Sequence, residues 1–336
     1  MVHFPAQWEE QEFVQIVFPH RQTDWVDYFD EAIETFVNIA SSIAKYQKCL
    51  VVAKELSFVK SLFTNIKIKK NIKFVSIDSN DTWSRDFGAI TVYENGRATL
   101  LDFKFNGWGC KYPSNLDNEV SKKLKQKGIF KDYKYKQIPM VLEGGSIDTD
   151  GSGVLITTTK CLCEKNRNPQ FTKNIIEQKL KKIFGVKKIL WLNSGALVGD
   201  DTDSHIDTLA RFVSNTTIVY QTCNDPNDKN YIELKKMEQE LKTFKNLDGV
   251  KYDLIPLPSI KTIYYENEQL PATYANFLII NKAVLVPIYN DPNDKKALSI
   301  FQKLFPKREI IGCDATTLIK QHGSLHCVTM EYMKPL

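Results

Sequence analysis

Cys327 stands in Gly323-Ser324-Leu325-His326-Cys327, a thiol placed shortly after two small residues that allow close backbone approach. Free cysteine is a common core filler. It is also the strongest side-chain nucleophile near neutral pH once its thiolate is stabilised, so both readings stand. His205, one of five histidines, lies in the acidic run Gly199-Asp200-Asp201-Thr202-Asp203-Ser204-His205-Ile206-Asp207. On a strand, His205 and Asp207 would share one face, which suits a metal or a catalytic pair; the third reading is a loop that solvates itself. Glu143 is followed by Gly144 and Gly145, paired glycines that suggest a tight backbone approach to something. Asp86 closes Asn80-Asp81-Thr82-Trp83-Ser84-Arg85-Asp86, either a surface loop with an ion pair or a wall for a cation, carboxylate below and the Trp83 face beside it. Three acids (Asp86, Glu143 and Asp207) with one cysteine and one histidine suggest a cationic substrate, whereas an acyl-transfer site would supply oxyanion donors. A metallohydrolase using Asp203, His205 and Asp207 is the rival from another enzyme class, and a small-cation binding protein is the non-enzymatic one.

These residues are far apart in sequence, so the elements around them must bring them together. Helical periodicity is clearest at 24–46, 115–128, 171–185, 226–245 and 292–305, with Asn115 as an N-cap and Pro226 and Pro292 in first turns. A short β-rich run follows each helix, at 49–53, 135–138, 188–192, 252–257 and 309–313. Hairpins are predicted at 87–103, turning at Glu94-Asn95-Gly96, and at 145–158, 206–221 and 275–289. Asp148 to Gly153 superficially resembles a calcium loop. Its glycine comes early and Thr159 stands where the bidentate glutamate belongs, so it reads as a hairpin turn. A last strand, 325–332, is free to pair with the first, 13–18, and close a ring. The starts of these units recur every roughly 50–70 residues, the spacing of propellers and arrays. Each start carries a polar group: Asp86, Glu143, His205 with Asp207, Asn276 and Cys327. A ring would aim them at one axis, while the alternative is an open α/β sheet.

Composition narrows the class. The chain is 43% hydrophobic and 25% charged with net charge +5, ordinary for a globular protein. Nothing reaches the ~20 apolar residues of a membrane span, and the first residues carry Glu9, Glu10 and Glu12 in place of an apolar leader, so a cytoplasmic protein without membrane attachment is expected. Seven cysteines at irregular spacing argue against a disulfide framework or a zinc site. The basic residues lie on helical faces without interleaved aromatics, so no nucleic-acid partner is expected.

The stretches NDTWSRDFG (80–88), FNGWGCKY (105–112), EGGSIDTDGSGVLITTTKCL (143–162), NRNP (166–169), GDDTDSHIDTLARF (199–212), TYANF (273–277) and GSLHC (323–327) together resemble the agmatine deiminase and bacterial peptidylarginine deiminase family, within the guanidino-group-modifying (pentein) superfamily. The resemblance runs along nearly the whole chain. It implies one catalytic domain, 1–336, folded as a five-bladed α/β propeller of ββαβ units. It implies Cys327 as covalent nucleophile, His205 as general acid and base, Asp86 and Asp207 as carboxylates gripping a guanidinium, and Glu143 as partner of His205. Substrate contacts from Trp83, Arg85, Trp108 and Asn276 are expected with it, and neither metal nor organic cofactor. A homo-oligomer is compatible with the family, though no interface is specified. The chain departs from the family pattern at Ala89, where proline is common, at Ser204, where glycine is common, and after Cys327, where the usual glutamine pair is missing. Arginine would need a basic clamp for its α-carboxylate, for which Arg85, Arg167 and Arg211 are candidates. The expected substrate is therefore agmatine, with peptidylarginine or free arginine as alternatives.

Overall fold

The computed structural model describes residues 1–335, and its sheets repeat one pattern five times. In each, a strand pairs antiparallel with the next, and that central strand pairs parallel with a third reached through a crossover helix. The sets are Ile90–Glu94, Arg97–Lys104 and Lys134–Val141; Ile147–Thr149, Val154–Thr158 and Lys188–Leu192; Ala210–Phe212, Thr217–Gln221 and Asp253–Leu257; and Leu278–Ile279, Ala283–Ile288 and Glu309–Asp314. The fifth joins the two ends of the chain: Thr329–Met333 pairs antiparallel with Gln11–Val17, which pairs parallel with Lys48–Ala53. The expected pairing of last strand with first is therefore present.

Local chemistry explains the elements. Cys49–Ala53 is a continuous apolar run and lies fully buried, as a central parallel strand should. Helix Phe29–Ala44 buries Phe29, Ala32, Ile33, Phe36, Ile39, Ala40 and Ile43, the stripe of a 3.6-residue period. The first hairpin turns at Asn95 and Gly96, both with positive φ, the geometry that matches strand twist. The crossover helices start later than expected, at Val120, Tyr231 and Asp294. The intervening residues are held in Asx turns: Asp225 and Asp291 accept from the backbone N–H of Asn227 (2.9 Å) and Asn293 (2.7 Å). Asn115 is not the cap. Asn80 from another segment accepts instead from the N–H groups of Leu116 (2.7 Å) and Asp117 (3.2 Å). The edge strand Ile72–Ser76, in which only Ile72 and Val75 are buried, had no clear sequence signal.

Candidate active site

In every repeat the turn that leads into the first strand carries a candidate site residue. Asp86 lies on the one-turn helix Ser84–Phe87, Glu143 precedes the turn Gly144–Ser146, and His205 and Asp207 flank Ile206 at the turn Ile206–Thr208. Asn276 and Cys327 precede the strands Leu278–Ile279 and Thr329–Met333. All six are buried. The Asp86 turn is pinned to the Cys327 turn: Arg85 N–H donates to the Cys327 carbonyl (3.1 Å) and Ser84 Oγ to that of Val328 (2.8 Å).

Gly145 sits where three of these groups meet. A Cβ there would lie 2.7 Å from His205 Nδ1, 2.9 Å from Asp86 Oδ1 and 3.1 Å from Asp207 Oδ2. The Gly145 N–H donates to Asp86 Oδ1 (3.0 Å) and Trp108 Nε1 to Asp86 Oδ2 (2.9 Å). Asp86 Oδ1 also lies 3.6 Å from His205 Nδ1. His205 follows two non-glycine residues with positive φ, Asp203 and Ser204. That conformation is where glycine is at ease, so Ser204 occupies a position that favours glycine. Neither ring nitrogen of His205 has a protein partner, although both are buried. Asp207 Oδ1 is likewise unpaired, while Oδ2 faces His326 Nδ1 (2.7 Å) and lies 4.0 Å from Cys327 Sγ. Asn276 Oδ1 accepts from the N–H of His326 (2.8 Å) and Cys327 (3.3 Å) and faces Cys327 Sγ (3.4 Å), so this side chain shapes the Cys327 turn.

Electrostatics make the centre receptive to a cation. Burial, then the charges of Asp207 and Glu143, pushes the Asp86 carboxyl well above the usual carboxylate range. Burial lifts Asp207 to about 7 against the pull of Arg211 and Arg85. The Cys327 thiol is raised by burial and by Asp207 and Asp86. Burial and the charges of Arg167 and Lys111 hold His205 well below its ordinary value. The resting pair is thus a neutral thiol and a neutral imidazole.

A cavity opens onto Cys327 and Asp86. Its walls hold the aromatic rings of Trp83, Trp108 and Tyr112 and the carboxylates of Asp24, Asp81 and Asp201. Trp83 is clamped by Asp81, which accepts from Trp83 Nε1 (3.0 Å) and Trp25 Nε1 (2.9 Å). Among the described residues, this cavity is lined by no lysine or arginine.

Of the residues expected to touch substrate, Asp207, Asn276 and Arg85 are not among the lining residues; Asp207 and Asn276 stand 4.0 and 3.4 Å from Cys327 Sγ behind the wall, whereas Arg85 is turned away. Its guanidinium forms a buried ion pair with Glu331, in a direction set by the helical turn that presents Asp86. Arg167 donates Nε to both Glu143 oxygens (2.9 and 3.0 Å) and Nη1 to Asp203 Oδ2 (2.7 Å). Arg211 faces Asp148 (3.2 Å) and donates to Gln7 Oε1 (3.0 Å). All three arginines are therefore committed to carboxylates. Asp203 is also paired with Lys111 (2.9 Å), which weakens the metal-ligand reading of Asp203, His205 and Asp207. Among the described residues the cluster with ligand-like spacing is Glu143, Cys161 and His205, whose donor atoms lie within 4.8 Å of one another, yet Arg167 already holds both Glu143 oxygens. Sequence reasoning missed His326, Arg167 as the partner of Glu143, and the acidic wall. His326 is adjacent to Cys327 and could have been noticed; the others come from distant segments.

The chain matches the Porphyromonas-type peptidyl-arginine deiminase family over residues 3–332. It is 31% identical to the agmatine deiminase of Pseudomonas syringae pv. tomato, covering 99% of this chain and 96% of that one. The structure superposes with a TM-score of 0.93 on a cysteine-to-serine variant of the C. jejuni agmatine deiminase with substrate bound, at 43% identity and covering 100% of this chain and 97% of that one. It also resembles a dimethylarginine dimethylaminohydrolase, at TM-score 0.52 and 12% identity over 96% of this chain and 100% of that one, a likeness of fold alone.

Proposed function

The chain belongs to the Porphyromonas-type peptidyl-arginine deiminase family, and we propose that it hydrolyses agmatine to N-carbamoylputrescine and ammonia. The activity is that of a hydrolase acting on the C–N bond of a linear amidine. The observation that carries the choice of substrate is the cavity wall. Asp24, Asp81 and Asp201 stand beside the aromatic rings with no lysine or arginine among the described lining residues. Agmatine brings a second cation to that wall; arginine would bring an α-carboxylate with nothing to clamp it. The C. jejuni agmatine deiminase with substrate bound, on which this structure superposes, supports the same choice.

Asp86 and Asp207 grip the guanidinium by paired hydrogen bonds, the geometry that suits its planar fork. That fixes the central carbon for attack and lowers the orientational cost. The bound cation offsets the carboxylates that raise the Cys327 thiol, so ionisation of the thiol accompanies binding, and its proton passes to His205. The thiolate adds to the central carbon. His205 then protonates the departing nitrogen, which leaves as ammonia. An amidino-thioether remains on Cys327. Neutral His205 next takes a proton from water, whose oxygen attacks the same carbon; the C–S bond breaks and the ureido product departs. Glu143, held by Arg167, has an oxygen within 4.8 Å of a His205 ring nitrogen but makes no hydrogen bond to it, so its part as the partner of His205 rests on the family stretches alone. Trp83 and Trp108 wall the substrate, and Asn276 holds the Cys327 turn. The family stretches that carry these residues support the roles.

We place this chemistry in one domain, 1–336, read as a five-bladed propeller whose repeats aim their leading turns at a common centre. The five three-stranded sets and the pairing of the chain's two ends support it. No helix among the described residues is long and apolar enough to cross a membrane, and a cytoplasmic role in putrescine and polyamine synthesis is the setting we propose. A peptidylarginine substrate is the second reading, favoured by membership of a peptidyl-arginine deiminase family.

The test is ammonia release and ureido-product formation from agmatine, arginine and a peptidyl-arginine substrate, for the wild type and Cys327→Ala. Turnover of agmatine alone, abolished in the variant, is the expected result. Preference for the peptide or for arginine keeps the chemistry and overturns the substrate. No ammonia from any of the three overturns the deiminase reading.

A further inference from the structure

A second cavity, walled on one side by apolar side chains, carries Gln7, Arg85, Asp148, Arg211, His326 and Glu331 among its lining residues. The proposed reaction uses none of these directly. Gln7 is the informative residue because its amide is saturated. Its Oε1 lies 3.0 Å from Arg211 Nη2 and 2.9 Å from the Ile279 N–H. Both of these groups only donate, so that end of the amide must be the oxygen. The two hydrogens on Nε2 then point at Glu331 Oε2 (3.0 Å) and at His326 Nε2 (2.8 Å). An amide nitrogen does not accept, so His326 Nε2 must offer a lone pair. The ring proton is left on Nδ1, which lies 2.7 Å from Asp207 Oδ2.

We propose that Gln7 locks His326 into the neutral Nδ1–H tautomer, and that His326 so locked holds Asp207 as an oriented carboxylate for the guanidinium. The other tautomer would set two lone pairs against each other at Asp207, and a doubly protonated ring would collide with the Gln7 N–H and cancel the charge of Asp207. The charged groups around the ring agree. Asp207 faces Nδ1, and Arg85 with Glu331 and Arg211 with Asp148 line the cavity on the other side. Burial and the two arginines hold the ring well below its ordinary pKa, hence neutral. Asp207 Oδ1, buried without a protein partner, is left for the substrate. His326 is thus a positioning residue, acting through Asp207, and its role rests on the reading that Asp207 grips the guanidinium.

Two variants and one spectrum test this. The side-chain nitrogen of asparagine can occupy the place of Nδ1, whereas that of glutamine reaches the place of Nε2. His326→Asn keeps a donor at Asp207 and should hold KM for agmatine within about threefold of wild type, while His326→Gln loses that donor and should raise KM roughly 10- to 100-fold with a smaller change in kcat. A merely structural role would move both variants alike, and thermal melting of each shows that it is folded. In wild-type protein carrying ¹⁵N-histidine, the Nδ1 of His326 should resonate as a protonated nitrogen and Nε2 as a bare one, from about pH 6 to 8. Equal KM values for the two variants, or a protonated Nε2, overturns the proposal. If wild-type protein releases no ammonia from agmatine, the functional reading fails by itself, and the nitrogen spectrum still decides the tautomer.

Discussion

Replacing Gly145 with alanine adds one methyl group where His205, Asp86 and Asp207 converge. The φ of Gly145 lies outside the left-handed region, so the backbone accepts alanine and the perturbation is purely one of space. The new Cβ would sit 2.7 Å from His205 Nδ1 and 2.9 Å from Asp86 Oδ1, against an ordinary contact that begins at 3.4 Å. One or both groups must withdraw by about half an ångström or more. The Gly145 N–H that fixes Asp86 must then move with it or break its bond. Misplacement on this scale at reacting groups costs on the order of 10²-fold in rate. Overpacking a buried site costs about 1–3 kcal/mol of stability. Gly145→Ala should therefore reduce kcat/KM for agmatine about 10²-fold while leaving a folded protein of lowered melting temperature. Gly96→Ala is the control. Gly96 has φ +76° with nothing within 4 Å of a Cβ, at a hairpin tip. It should lose about 1–2 kcal/mol to backbone strain with kcat/KM unchanged. Steady-state ammonia release and thermal melting on both variants decide the matter. A folded Gly145→Ala enzyme with wild-type kcat/KM would refute the convergence of these groups at the reacting centre.

Two further expectations follow from the charges of the site. Asp207 titrates at about 7 in the free protein because burial outweighs Arg211 and Arg85, and only its anionic form pairs with a guanidinium. On the acid side kcat/KM for agmatine should fall at least about tenfold per pH unit below 7, because Asp86, whose carboxyl is also pushed up, must lose its proton for the same grip, and a flat profile from about pH 5.5 to 7.5 would contradict this. Arg167 and Glu143 form a fully buried ion pair. Arg167→Met leaves Glu143 without its partner, so urea unfolding should show a loss of about 3–5 kcal/mol, and a loss below about 1 kcal/mol would show that the pair is dispensable.

Much of the architecture was legible because it is local. Period-3.6 stripes such as that of Phe29–Ala44, apolar parallel strands such as Lys48–Ala53 and the Asn95-Gly96 turn report their own conformation. The placement of Asp86, Glu143, His205, Asp207, Asn276 and Cys327 at the starts of repeating units also follows from the order of residues. Helix starts were less legible. Asx turns at Asp225 and Asp291 compete with helix for the same N–H groups, and Asn80 caps a segment more than thirty residues away. Side-chain direction was not legible at all. Arg85 is one residue from Asp86, yet the turn that presents Asp86 beside His205 sends Arg85 to Glu331. The pairing of Arg167 with Glu143, the tautomer that Gln7 imposes on His326, and the gathering of Asp24, Asp81 and Asp201 on one wall join segments up to 319 residues apart. The sequence by itself determined which chemical groups exist and the periodic elements that carry them, because those depend on neighbours along the chain. Only the tertiary structure decided which charges neutralise one another and which stay open to a cation, because burial and partnership depend on neighbours in space.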